Sequence, residues 1–193
     1  MRKIFYSIFL LLLVVMSVVA QENATKSKSK FHFESTNLLG LLEGEQKGAF
    51  QAQSINGVRN NSWFAGLGAG LDNYVNRSIP VFLDVRKNIL NKRKTPFVYG
   101  DIGMHFIWNA NENEGTWYKS KYNNGLYYGM GIGYRIGMKN QTAFNIAVGY
   151  SFKSFTEYRS AQIFCITGPC PEAPPEEFEY KFRRISMLIG FSF

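Results

Sequence analysis

The chain has 193 residues, of which 46% are hydrophobic, 16% aromatic and 19% charged, with 18 glycines, 2 cysteines and a formal charge of +8. Charge is low and aromatic content high for a soluble domain, which excludes a disordered chain. Two cysteines exclude a disulfide-dense scaffold, and the two histidines, His32 and His105, leave little material for a histidine metal centre.

Arg2 and Lys3 begin the chain, an apolar run from Ile4 to Met16 follows, and Ser17-Val18-Val19-Ala20 closes it with small residues. This is the pattern of a secretory signal peptide cut after Ala20. A polar segment, residues 21–30, follows at once, and no cysteine near the cut invites a lipid anchor. Every later stretch is broken by charges or glycines, so none qualifies as a membrane-crossing helix.

From residue 31 the apolar period is two, the period of strands. Eight strands are predicted, at 31–41, 49–59, 62–72, 77–90, 96–108, 125–138, 142–155 and 178–193. The sixth is the clearest. Leu126, Tyr128, Met130, Ile132, Tyr134, Ile136 and Met138 share one parity, while glycines and Arg135 hold most of the other. The fifth, seventh and eighth strands repeat the contrast, and the second shows it least.

A soluble barrel with its apolar face inward and a membrane barrel with its apolar face outward both produce this alternation. The glycines favour the second. A solvent face carries Lys, Glu and Thr, whereas a narrow eight-stranded interior is crowded and needs small side chains beside a few large ones. Arginine facing lipid at mid-depth costs roughly 2–4 kcal/mol, and Arg135 and Arg184 both stand on the glycine parity. Asp84, Arg86, Asp101, Arg135, Lys153 and Arg184 are therefore expected inside, as a polar network serving packing and solvation rather than catalysis.

Connection lengths agree. Short links fall near Asn60-Asn61, at Asn91–Lys94 and at Lys139–Gln141, and alternate connections include two long ones, 109–124 and 158–177. Short turns at one end and long loops at the other are the outer-membrane arrangement, with turns periplasmic. Trp108, Tyr128, Tyr150 and Phe152 then approach the outer interface, and Trp63, Phe144 and Phe193 the inner one.

The last strand ends Ile189-Gly190-Phe191-Ser192-Phe193. It resembles the signal, carried by Phe191 and Phe193, through which the bacterial outer-membrane assembly machinery recognises its substrates. With Gln53–Gly57, Gly66–Asp72, Ile79–Asp84 and Pro96–Gly103, the chain resembles the small eight-stranded outer-membrane barrels of the OmpA/OmpX type, in a functionally uncharacterised subgroup. The resemblance implies an all-β, antiparallel, up-and-down transmembrane barrel over residues 31–193, in the outer membrane of a Gram-negative bacterium.

Site expectations are modest. Gly66-x-Gly68-x-Gly70 and Gly129-x-Gly131-x-Gly133 lie within strands, where no phosphate loop forms, and no cofactor is expected. Cys165 and Cys170 in the last long loop are expected to form a disulfide in an oxidising periplasm, worth roughly 2 kcal/mol of chain entropy. Arg159, Lys181 and Arg183 near the outer rim are candidates for lipopolysaccharide phosphates. No Ser-His-carboxylate constellation is evident, and the scattered basic residues show no nucleic-acid platform. The expected role is structural or interactive, in a monomer presenting loops 109–124 and 158–177 to a surface partner. A lipid-modifying barrel enzyme and a secreted soluble barrel for an apolar ligand are the alternatives.

Overall fold

The computed structural model describes residues 31–44, 48–73, 77–108, 113–114, 118–138, 142–161 and 174–193. The export segment and polar stretch assigned to residues 1–30, and Cys165 and Cys170, lie outside the described residues. The elements are β1 (His32–Glu43), β2 (Ala49–Asn60), β3 (Trp63–Asn73), β4 (Arg77–Asn88), β5 (Lys94–Ile107), β6 (Asn113–Glu114), β7 (Tyr118–Asn123), β8 (Gly125–Gly137), β9 (Ala143–Ala161) and β10 (Glu176–Ser192).

Neighbouring strands pair antiparallel in the order β10-β1-β2-β3-β4-β5-β8-β9, and β9 pairs β10 to close the ring. Closure gives an eight-stranded barrel without edges, the condition for a sheet to cross lipid. The pairing from His32 passes through Arg59, Phe64, Arg86, Tyr99, Gly131, Gly149 and Ser186 and returns to β1 at Leu42. The stagger is 42 − 32 = 10 residues. For eight strands it requires a tilt of about 40° from the barrel axis. The last seam is completed by the terminal residue, whose backbone exchanges hydrogen bonds of 2.8 and 2.9 Å with Ser35.

The turn between β2 and β3 places Asn61 at φ 53°, a left-handed conformation that asparagine tolerates better than most residues. Two long connections are shorter than the sequence predicts. β7 occupies 118–123, β9 continues to Ala161, and β10 begins at Glu176. β7 pairs β9 with Asn123 opposite Thr156, whereas β8 pairs β9 with Tyr127 opposite Lys153. Four steps on one strand thus face three on the other, so β7 and β8 are one strand interrupted by a bulge at Asn124. The apolar period fades there because outward positions carry Lys121, Tyr158, Glu177 and Glu179.

Side-chain burial is inverted relative to a soluble protein. Leu67, Ile102 and Ile132 point outward with 64%, 60% and 67% of their surface exposed, while Asp84, Lys153 and Arg184 point inward at 1%, 2% and 4%. A water-facing wall of that composition would be a large apolar patch, whereas in lipid it is the lowest-energy arrangement. The barrel is transmembrane. The soluble ligand-binding alternative is corrected by the same fact, since Met130 and Ile132 of its expected internal ridge face outward.

Inward glycines have a specific partner. Phe82 stands opposite Gly68, Phe97 opposite Gly133, and Tyr99 opposite Gly131. A β-carbon would lie 2.4 Å from the Phe82 ring at Gly68, 2.4 Å from the Phe97 ring at Gly133, and 2.7 Å from the Tyr99 ring at Gly131. The rings therefore lie across the glycines, and with buried Phe64 and Tyr127 they fill the lumen. It is a packed core rather than an open channel.

Candidate functional site in the lumen and at the rim

The six charged residues predicted inside are all placed there, but in separate groups joined to partners the sequence did not reveal. At the turn end, Glu34 on β1 is clamped by two guanidinium groups. Arg59 on β2 donates from Nε to Oε2 at 2.5 Å and from Nη2 to Oε1 at 2.8 Å. Arg135 on β8 donates from Nη1 at 2.7 Å and from Nη2 at 3.1 Å. Ser192 closes the layer, accepting from Asn145 at 2.6 Å and sharing a hydrogen bond with Thr36 at 2.9 Å. Glu34 and Arg59 were legible only through parity, which is weakest on the first two strands.

Near mid-depth, Arg86 binds the Asp84 carboxylate through Nε at 2.9 Å and Nη2 at 2.9 Å. Its guanidinium lies 5.8 Å from the ring centres of Phe64 and Phe97 and 5.9 Å from Tyr99. These aromatic faces offset part of its lost hydration. Asp101 stands directly opposite Asp84 on β5, so two acids face one arginine.

Toward the loop end, Lys153 donates to Asp72 and, at 2.8 Å, to Ser78 Oγ, which donates to Asp72 at 2.7 Å. Lys153 also sits 5.4 Å from the Tyr127 ring centre. His105 Nε2 donates to the Ser154 carbonyl at 2.9 Å. Arg184 is buried in this upper lumen.

Above it, Phe155 stacks on Tyr180 and Phe182, with ring centres 5.0 and 5.5 Å apart, and Tyr122 meets Phe155 edge-on at 6.0 Å. Glu157 lies beside these rings, accepting from Tyr180 Oη at 3.0 Å and from Arg159 at 3.2 Å. Burial alone would raise the Glu157 carboxyl, but hydrogen bonds from Ser120, Tyr180 and Arg159 outweigh it and hold the acid below its ordinary value. The Tyr180 phenol is pushed up, chiefly by that hydrogen bond.

Of the three basic residues considered for lipid phosphates, Lys181 and Arg183 are exposed on the outward face of β10. Lys181 meets Glu179 at 3.0 Å, and Arg183 stands opposite Phe152, which stacks on Tyr128 at 4.7 Å. Arg159 is engaged with Glu157 and lies 5.0 Å from the Phe178 ring. Phe191 and Phe193 are outward, 51% and 61% exposed. His105 is enclosed and His32 stands at the turn end, 3.9 Å from Glu34.

The outward wall departs from apolar cover on β1 and β2, where Asn56 is also exposed. Asn37 on β1 pairs with Ser54 on β2, both outward, in a groove of about 770 Å³ that also touches Ala52, Ala69 and Phe191. Among the described residues, no group of three His, Cys, Asp or Glu side chains is placed to hold a metal ion.

No family model matches the chain, and no curated protein matches it. Among solved structures, the crystal structure of the outer membrane protein OprG from Pseudomonas aeruginosa matches with a TM-score of 0.58 at 12% identity, covering 86% of this chain and 95% of that one. The outer membrane protein AlkL, solved by solid-state NMR in DMPC lipid bilayers, matches with a TM-score of 0.45 at 13% identity, covering 89% of this chain and 92% of that one. With its stagger, inverted burial and closed seam, the chain has the fold of the small eight-stranded antiparallel outer-membrane barrels.

Proposed function

We propose that the protein is a non-enzymatic barrel of a Gram-negative outer membrane that stabilises the envelope or presents its loop end to a surface partner. The observation that carries this is the asymmetry of the two ends. The short turns, the start of β1 and the finish of β10 lie together at one end, while β7, β9 and β10 extend far beyond the apolar band at the other. A lumen filled by Phe64, Phe82, Phe97 and Tyr127 supports a role outside transport.

In this reading residues 1–20 direct export and are removed, Phe191 and Phe193 carry the assembly signal, and the turn end faces the periplasm. Lys181 and Arg183, just beyond the stacked Tyr128–Phe152 pair, meet lipopolysaccharide phosphates. Cys165 and Cys170 close a small ring in the last loop. The protein acts without cofactor or nucleic acid, and its partners are lipid, the assembly machinery and a surface ligand of the loops.

Cell fractionation with a heat-modifiability gel tests the reading. The mature chain is expected in the outer-membrane fraction, with mobility that shifts on boiling. A soluble periplasmic protein without a shift overturns it.

A further inference from the structure

We propose that the rim of β2–β5 holds a second lipid site, for a phosphate-bearing, acylated lipid of the outer leaflet. The inference rests on the reading above, in which the loop end faces outward. A groove of about 320 Å³ lies there, with Phe50, Leu71 and Trp108 on its walls and Asn73 and Arg77 at its border. The three apolar side chains are 55%, 53% and 53% exposed, so the groove opens toward the hydrocarbon and its edge.

Arg77 is the first residue of β4, opposite Asn73 on β3, and its carbonyl accepts the Trp108 backbone N–H at 2.8 Å. Among the described residues no carboxylate pairs with its guanidinium. Asp72, the acid that reaches the groove, faces the lumen and is held by Lys153 and Ser78. A solvated cation thus stands at headgroup height over an apolar slot, with an indole beside it.

That pairing is selective for one amphiphile. The slot takes an acyl chain, and the planar guanidinium binds a phosphate through two parallel N–H donors, a geometry that lysine supplies only as a point charge. A lipid without a phosphate would fill the slot without satisfying the arginine, and the single phosphodiester of a zwitterionic lipid, already paired with its own ammonium, would satisfy it less well than a phosphate monoester. The site lies on the opposite side of the barrel from Lys181 and Arg183, so lipid phosphates would be gripped on both flanks.

Photo-crosslinking tests this on the full mature chain, folded in phosphatidylcholine vesicles containing lipid A with a photoreactive acyl chain. Crosslinks are expected on the segments containing Leu71 and Trp108. Arg77→Gln is expected to reduce them about tenfold, the loss of one charge-assisted contact, and Arg77→Lys to restore part of the yield. Lipid A stripped of its phosphates is expected to give the low yield with the unaltered protein. Equal crosslinking by Arg77→Gln, or by the stripped lipid, overturns the site and leaves the barrel reading standing. A chain that shows no heat-modifiable band in the vesicles overturns both.

Discussion

The ring of Phe82 occupies the space that a β-carbon at Gly68 would need, across one rung of the β3–β4 ladder. Gly68→Ala forces a buried ring to move in a lumen already filled. A loss of about 1–3 kcal/mol is expected from overpacking, read by urea unfolding in lipid vesicles. Shortening the ring with Phe82→Leu in the same chain should recover much of it, so the two changes are non-additive. Strict additivity would show that the ring and the glycine are not coupled.

Glu34 is the only acid in the turn-end layer that Arg59 and Arg135 both engage, among the described residues. Glu34→Gln leaves two guanidinium groups facing each other with their shared counter-charge gone. Breaking a buried ion pair from one side costs about 3–5 kcal/mol. The unboiled band should lose heat resistance markedly, and adding Arg135→Gln should restore part of it. An unchanged melting profile would show that water in the lumen already screens the arginines.

Asn37 and Ser54 face outward near the middle of their strands, and nothing in the lipid chains can hydrogen-bond them. Asn37→Leu is expected to raise stability in vesicles by about 1 kcal/mol or more, since an unsatisfied amide in an apolar medium costs about 1–3 kcal/mol. The same urea titration measures it.

The Glu157 carboxyl is held below its ordinary value, so it favours the folded rim when ionised. That contribution is fully present above the unfolded glutamate value, about 4.3, and is lost as pH falls through the lower folded value. Hydrogen-exchange protection at β7 and at the upper ends of β9 and β10, corrected for the intrinsic pH dependence of amide exchange, should be steady near neutrality and fall in acid. Glu157→Gln should exchange faster at neutral pH, with the acid dependence largely removed.

The contrast between Met130, Ile132 and Tyr134 on one parity and Gly129, Gly131 and Gly133 on the other was enough to read the inverted barrel. Both faces of that strand are extreme, and only lipid outside with aromatic rings inside explains them together. Within the apolar band the strand ends agree to within a few residues, whereas β9 runs six residues beyond its predicted end at 155 and β7 lies in a predicted loop. What the chain alone concealed were relationships across strands. Nothing near Glu34 in sequence announces Arg135, 101 positions away, and Asp72 meets Lys153 across 81. Those encounters depend on the stagger, which periodicity does not encode. At the rim the sequence predicts loop, because above the bilayer an outward face can be polar and the period of two persists in Ser120, Tyr122 and Glu157 without an apolar signature.

The bulge at Asn124 lets β7 and β8 climb as one ribbon with β9, which has 19 residues where a crossing needs about 9–11. The surplus, at the tilt of this barrel, raises a collar of about 20 Å from the edge of the hydrocarbon, through and beyond the headgroups. Because the collar is hydrogen-bonded sheet, its height is fixed in a way a tether's is not. Whatever touches its top is kept at that stand-off from the hydrocarbon, and shortening the collar two residues at a time, in register, would move the meeting point inward like a ruler.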